Sequence, residues 1–390
     1  MKYRGSSSSN DIGYLVVTEL FSPTRGGTAV WFDKVYRAMG CKATHIVTAE
    51  VPGSTEYDAT YPLPVHRLKL QRRWYYRPES LGMYRSLFCK SLQLSLKHSF
   101  HSIHAGRVLP EGLVALMVAR LTGHRCVVYA HGEEITTWLH GLKRTALKFV
   151  YRHADHVIAN GSFTLGLLRN LGVKDERLHL INPGVDLAVF RPGLDSSNLR
   201  CSYGLEGKRV ILSIGRLSRR KGFDNVIRAM NLISREIADA HYVVVGIGED
   251  DRYLKEIAAS CGISDMVTFV GAAAEDELPL WYNLGELFVM PNRSVGNDSE
   301  GFGMVFIEAN ACGRPVVAGR DGGTGDAVVD GVTGLRVYGD DVHEIASAVV
   351  KILSDPGLAD RMGAAGLKRV REDFGWEKVA CRTLEVIDKL

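Results

Sequence analysis

The stretch Val210-Ile-Leu-Ser-Ile-Gly-Arg-Leu-Ser-Arg-Arg-Lys-Gly-Phe-Asp-Asn-Val-Ile-Arg-Ala-Met230 decides the fold. Residues 210–214 are a short apolar run rich in β-branched side chains, the signature of a buried strand. Between 225 and 234 the apolar residues Val226, Ile227, Met230 and Ile233 fall on one helix face. A strand, a glycine-bounded loop and an amphipathic helix make half of a β–α–β unit.

The same cadence extends both ways along the chain. Apolar runs recur at 12–18, 45–48, 126–130, 156–159 and 178–181, then at 242–245, 267–270, 287–290 and 315–318. Segments with helical periodicity lie at 30–39, 113–121, 142–152, 163–171 and 343–354. Continuous apolar strands alternating with helices predict an α/β protein with parallel sheets covered on both faces. The pattern restarts after the turn-rich Asn182-Pro-Gly-Val-Asp186 and Pro192-Gly-Leu-Asp195. Two doubly wound domains facing a cleft follow, with boundaries at 1–190 and 191–372.

The chain has 390 residues, 46% hydrophobic and 24% charged, a composition of ordinary globular proteins. Residues 1–195 carry 25 Lys/Arg against 15 Asp/Glu, while 196–390 carry 23 against 29. The first half is basic and the second acidic, so the two should face different partners. No apolar run approaches the roughly 20 residues that span a bilayer. The Ser-rich start has no signal-peptide core, and seven scattered cysteines read as reduced thiols. These features predict a cytoplasmic protein.

In doubly wound sheets, ligands bind beyond the carboxyl ends of the strands. Phe21-Ser-Pro-Thr-Arg-Gly-Gly27 follows the first strand and leads into a helix. Gly26 and Gly27 would let a phosphate approach the backbone there, although a plain tight turn uses the same glycines. His131-Gly-Glu-Glu134 puts an imidazole at a strand end, where it can bond a substrate hydroxyl or share a proton. Between Gly215 and Gly222, the four cations Arg216, Arg219, Arg220 and Lys221 suit a polyanion such as a diphosphate.

Val245-Gly-Ile-Gly248 is half of a dinucleotide fingerprint, and Asp251 replaces its third glycine. In Asp298-Ser-Glu-Gly-Phe-Gly-Met-Val-Phe-Ile-Glu308, Glu300 precedes a helix expected to begin near Met304, and Glu308 lies one turn inside it. Carboxylates so placed would accept bonds from sugar or ribose hydroxyls, while N–H groups at the helix start meet phosphate. No Asp-x-Asp pair occurs in the chain, so a metal-clamped diphosphate is not expected. Serine-hydrolase elbow, Walker and His-Glu-x-x-His motifs are also lacking.

From His66 to Arg107, nine Lys/Arg stand against the single acid Glu79, interleaved with aromatic residues. Arg72, Arg73, Trp74 and Arg77 form its densest part. Such a segment reads as a docking surface for an anionic membrane. Nucleic acid is the rival polyanion, disfavoured here, and a solvated helical hairpin the plain alternative.

Taken in order, Pro23-x-x-Gly-Gly27, His131-Gly-x-Glu134, Asn182-Pro-Gly-Val-Asp186, Gly215-Arg-x-x-x-x-Lys-Gly222, Val245-Gly-x-Gly248 and Glu300-x7-Glu308 resemble the retaining glycosyltransferases of family 4 along nearly the whole chain. The resemblance implies the GT-B fold, with a tail helix at 373–390 crossing back to the N-terminal domain. It implies that Arg216 and Lys221 neutralise the departing diphosphate and that His131 flanks the reacting sugar. Glu300 would hold hydroxyls of that sugar, and Glu308 the ribose. Gly26, Gly27, Gly215, Gly248, Val270, Phe302, Gly303, Met304 and Val305 complete the implied donor site.

Within the family the likeness is to mannosyltransferases of the phosphatidylinositol-mannoside type, on His131-Gly-Glu-Glu134 and Met290-Pro-Asn-Arg293. Those enzymes imply a GDP-mannose donor and a lipid-linked or saccharide acceptor at the inner face of the membrane. The nucleotide sugar is a substrate, and neither cofactor nor metal is implied. A UDP-sugar donor, or a nucleotide-sugar epimerase of the same fold, is the alternative.

Overall fold

A computed structural model describes residues 13–24, 26–70 and 81–388. Two compact units are present. One runs to Pro183 and resumes at Trp376; the other spans Gly184–Gly375.

The first unit holds β1 (Tyr14–Val17), β2 (His45–Ala49), β3 (Val65–Leu68), β4 (Ser102–Ala105), β5 (Arg125–Ala130), β6 (His156–Ala159) and β7 (Leu178–Leu180). They form a parallel sheet in the order β3-β2-β1-β4-β5-β6-β7. The second unit holds β8 (Arg209–Ile214), β9 (Ala240–Val245), β10 (Val267–Gly271), β11 (Leu287–Met290), β12 (Val316–Gly319) and β13 (Gly334–Val337), ordered β10-β9-β8-β11-β12-β13 and also parallel. Strand order reverses between β1 and β4, and between β8 and β11. In this architecture the reversal marks where ligands bind, so the loops after those strands position the chemistry.

The central strands are buried along their whole length, as helices on both faces require. The sheet's helices follow the expected periodicity. Phe223–Glu236 buries Val226, Ile227, Met230 and Ile233 against the β8 side of the core. Asp341 caps Val342–Ser354 by accepting the N–H groups of His343 and Glu344, both at 2.9 Å.

Two boundaries differ from those expected. The division falls at Pro183/Gly184, ahead of 190/191, because Val185 donates its N–H to Phe374 O at 2.8 Å and packs into the second unit's core. The chain rejoins the first unit at Trp376, three residues beyond 373. Helix Trp376–Ile387 buries Trp376, Val379, Ala380, Thr383 and Ile387 on one face and packs on helix Gly27–Met39. That helix buries Trp31, Phe32, Val35 and Tyr36. Strands β3, β4 and β13 are additions to the sequence expectation, and the helix expected at 163–171 spans Ser162–Asn170.

Candidate active site

The second unit gathers charged groups at the ends of β8 and β11. After β8, the chain makes a single turn of tight helix at Arg219–Lys221. That turn aims Arg220 and Lys221 at the loop after β11. Glu300 Oε2 accepts from Lys221 Nζ at 2.5 Å, Arg220 Nη1 at 2.7 Å and Asn292 Nδ2 at 2.9 Å. Both ends of the Lys221–Glu300 pair are largely buried, at 13% and 12% side-chain exposure. Burial alone would raise the Glu300 pKa. The charges of Lys221 and Arg220 and their hydrogen bonds outweigh it and hold the carboxyl below its ordinary value. Glu300 is therefore an ionised acceptor at neutral pH.

A second set of bonds fixes the basic turn. Asp224, in the first turn of helix Phe223–Glu236, accepts from Arg293 Nη2 at 2.9 Å and Arg228 Nη1 at 2.8 Å. The Arg293 N–H in turn donates to Arg220 O at 2.9 Å. Burial opposes the charge of Asp224, and the two guanidinium groups overcome it, leaving its pKa depressed.

Gly303 adopts φ +90°, a conformation open to glycine, and caps helix Met304–Ala311. Phe302 and Gly303 are buried, while Met304 and Val305 are half-buried at its start. The first N–H groups of a helix have no acceptor within it, so this end offers donors to an anion. The loop after β12 closes on the same turn. Gly323 N–H donates to Glu300 O at 2.7 Å, and a Cβ on Gly323 would lie 1.9 Å from Gly301 O, so only glycine fits. One turn into the helix, Glu308 Oε2 accepts from Tyr282 OH at 2.7 Å. Burial raises the Glu308 pKa, and the Tyr282 bond offsets part of that rise.

The other donor-site positions lie around this centre. Gly215 ends β8, with its N–H on Val245 O at 3.0 Å. Gly248 follows β9, where Asp250 N–H donates to Leu217 O at 3.1 Å. Val270 is half-buried in β10. Arg216 was expected to act with Lys221. It is 74% exposed and pairs with Glu249 at 3.1 Å, while Arg220 stands beside Lys221 on Glu300. Asn292 and Tyr282 are contacts that the sequence reading does not single out, and Arg220 enters it only as one of four cations; the place of Asn292 just after β11 is the signal that points to it.

In the first unit, His131 follows β5 as expected. Its Nε2 donates to Gly106 O at 2.8 Å, which leaves Nδ1 the acceptor in the neutral ring. Its N–H bonds Glu134 Oε1 at 3.0 Å, and Tyr151 OH holds the same oxygen at 2.6 Å. Asn160 Nδ2 donates to His131 O at 3.0 Å, and the Trp31 ring meets the imidazole edge-on at 5.7 Å. Gly26 and Gly27 are exposed at the start of their helix. Arg107, just after β4, bridges Glu19 at 2.5 Å and the fully buried Glu111 at 3.3 Å. Arg72, Arg73, Trp74 and Arg77 lie outside the described residues.

Among the described residues, no group of three His, Cys, Asp or Glu side chains is placed to hold a metal ion. No described helix is long and apolar enough to cross a membrane.

Two parallel-sheet domains, with a cation–carboxylate centre and a helix start at the strand ends of the second, define a glycosyltransferase of the GT-B class. Residues 29–189 match the model of Glycosyltransferase Family 4, and 195–369 that of Glycosyl transferases group 1. The chain belongs to this family. It is 31% identical over 379 residues to a GDP-mannose-dependent alpha-(1-6)-phosphatidylinositol monomannoside mannosyltransferase of Mycolicibacterium smegmatis, covering 96% of this chain and 97% of that one. A D-inositol 3-phosphate glycosyltransferase of Kribbella flavida is 36% identical over 246 residues, 60% of this chain and 56% of its own. The crystal structure of Anabaena HepE with UDP and glucose superposes with a TM-score of 0.80 at 22% identity, covering 97% of this chain and all of that one.

Proposed function

We propose that this glycosyltransferase moves mannose from GDP-mannose, with retention at the anomeric carbon and without a metal, onto a lipid-linked or saccharide acceptor at the membrane. The observation that carries the reading is the Glu300 carboxylate held by Lys221, Arg220 and Asn292 beside the helix start at Gly303. All three donors converge on Oε2, so Oε1 is the oxygen available to a hydroxyl of the transferred sugar. Lys221 keeps further N–H groups for the diphosphate, and the exposed Arg216 is the second cation offered to it. As the anomeric C–O bond breaks, negative charge grows on that diphosphate, and these cations and the N–H groups of Met304 and Val305 stabilise it. Glu308 accepts from the ribose. The acceptor hydroxyl attacks from the leaving-group side and its proton passes to a phosphate oxygen, which gives retention. His131 presents Nδ1 to a sugar hydroxyl.

The mannosyl donor and lipid acceptor rest on likeness to the mannosyltransferase relatives over 96% of the chain. A basic, aromatic segment containing Arg72, Arg73, Trp74 and Arg77 supports the membrane.

A nucleotide-sugar panel tests this reading. GDP-mannose is expected to raise the melting temperature more than UDP-glucose or UDP-N-acetylglucosamine. If a UDP-hexose alone stabilises, the mannosyl assignment fails and a UDP-sugar transferase replaces it. Turnover that survives exhaustive chelation is expected; loss of it, restored by a divalent ion, overturns metal independence.

A further inference from the structure

Arg107 closes the basic run that begins at His66, yet its guanidinium is not a free surface cation. Nη2 donates to Glu19 Oε2 at 2.5 Å and Nε to Glu111 Oε1 at 3.3 Å. Glu111 is fully buried, and its Oε1 also accepts the Glu19 N–H at 3.0 Å. The other Glu111 oxygen, Oε2, is buried with no hydrogen-bond partner. The cluster is therefore short of donors, not of acceptors.

Its place in the fold is specific. Glu19 follows β1 and Arg107 follows β4, the two strands between which the order of the first sheet reverses. Gly106 lets the strand ends meet. Its N–H donates to Val17 O at 2.8 Å, and a Cβ there would lie 2.4 Å from Thr18 Oγ1. Gly106 O also receives His131 Nε2 at 2.8 Å, so Arg107 stands one residue from the carbonyl that orients the imidazole. A ligand crevice opens at such a reversal, and the donor site does not use this pair.

The pair keeps atoms for a ligand. The Arg107 and Glu19 side chains are 30% and 24% exposed. Arg107 Nη1 and Glu19 Oε1 make no hydrogen bond to a described residue. A donor beside an acceptor suits two neighbouring hydroxyls, one accepting from the guanidinium and one donating to the carboxylate. Two carboxylates against one guanidinium leave an excess of negative charge, which opposes a phosphate. A phosphodiester would also bring no O–H to a cluster that lacks donors.

We infer that Glu19 and Arg107 bind adjacent hydroxyls of a neutral polyol ring, such as a sugar, on the acceptor, next to His131. The inference rests on the transferase reading above and gives its acceptor a chemical class at this point of contact.

The test is a ligand-observed NMR titration of the full chain, with methyl α-mannoside as the neutral probe and mannose 6-phosphate as the anionic one. Glu19→Gln keeps the size of the side chain and the backbone N–H on Glu111. Arg107→Lys keeps a positive charge beside the buried Glu111. Each is expected to weaken the neutral probe about tenfold, the loss of one charged hydrogen bond, with GDP-mannose affinity as in wild type. Wild-type affinity in both variants overturns the proposal and leaves the pair a structural clamp. Mannose 6-phosphate bound about tenfold tighter than methyl α-mannoside, with that gain lost in Arg107→Lys, overturns it and assigns the pair to phosphate. A wild-type chain that binds neither probe overturns it as well. The polyol site stands or falls on the titration alone; nucleotide release from GDP-mannose and from UDP-glucose, followed in the same samples, tests the transferase reading separately.

Discussion

Replacing Lys221 with Ala tests whether the buried ion pair serves both structure and turnover. The substitution removes the 2.5 Å contact to Glu300 but leaves Arg220 and Asn292 on the same oxygen. The cost is therefore below the 3–5 kcal/mol of a fully orphaned buried charge and nearer the ~2 kcal/mol of one charged hydrogen bond. For a unit of this size that is a fall of about 4–8 °C in melting temperature. The effect depends on pH in a defined direction. Because the folded Glu300 pKa lies below its unfolded value, the pair's stabilisation is present above the unfolded value near 4.3. It is lost as pH falls through the folded pKa, so wild type and variant converge at low pH. Turnover loses a cation aimed at the departing diphosphate, which is worth ~3 kcal/mol or about a hundredfold in kcat. Calorimetric melting from pH 8 to 3, with initial rates at pH 7.5, measures both. A melting difference that persists undiminished below the Glu300 pKa would refute the ion-pair account. A kcat within threefold of wild type would remove Lys221 from the chemistry.

Three further outcomes follow from neighbouring geometry. Tyr282→Phe removes the one donor seen on Glu308 Oε2; donor affinity, read by titration calorimetry, should fall about tenfold, while kcat changes less. Tyr151→Phe leaves Glu134 held by His131 N–H, and should cost about 1.5–3 kcal/mol in urea unfolding and lower kcat by moving the imidazole; unchanged values for both would exclude a positioning role. Burial, then the charge of Lys90 and the rings of His45 and His98, pushes His66 down to about 4, and burial lowers His45 in the same direction. The native state keeps these rings neutral while the unfolded chain takes up protons near pH 6.5. Their contribution is thus complete above 6.5 and is lost as pH falls toward 4, so His66→Gln should flatten the decline in urea midpoint across that window.

The fold was legible where burial forces a continuous apolar run. β5, β8, β9 and β11 follow directly from such runs. β4 escaped because Ser102-Ile-His-Ala105 contains two polar residues. Its buried His104 is satisfied by Ser102 Oγ at 2.7 Å on the same strand and by Tyr36 OH at 2.5 Å, the latter a partner that only tertiary structure supplies. β3, Val65-His-Arg-Leu68, is a half-buried edge strand with no apolar run to read.

The candidate site shows the same limit. Glycines, the cation run and the two glutamates stand at strand ends, where topology makes them visible. Spacing along the run could not say which cations turn inward. The tight turn at Arg219–Lys221 decides that, sending Arg220 and Lys221 to Glu300 while Arg216 stays with Glu249. Asn292 lies in the Met290-Pro-Asn-Arg293 stretch, but its contact with Glu300 eight residues along the chain is visible only in the structure.

Because helix Trp376–Ile387 belongs to the first unit, the segment Gly184–Gly375 is an insertion within it rather than the second bead on a string. During synthesis the inserted unit is contiguous and can reach its native state as soon as it leaves the ribosome. The first unit cannot. Until residues 376–387 emerge, helix Gly27–Met39 lacks the partner helix it packs on, through the translation of nearly two hundred further residues. Order of completion is thus the reverse of order of synthesis: the unit begun first is the last to have all its residues.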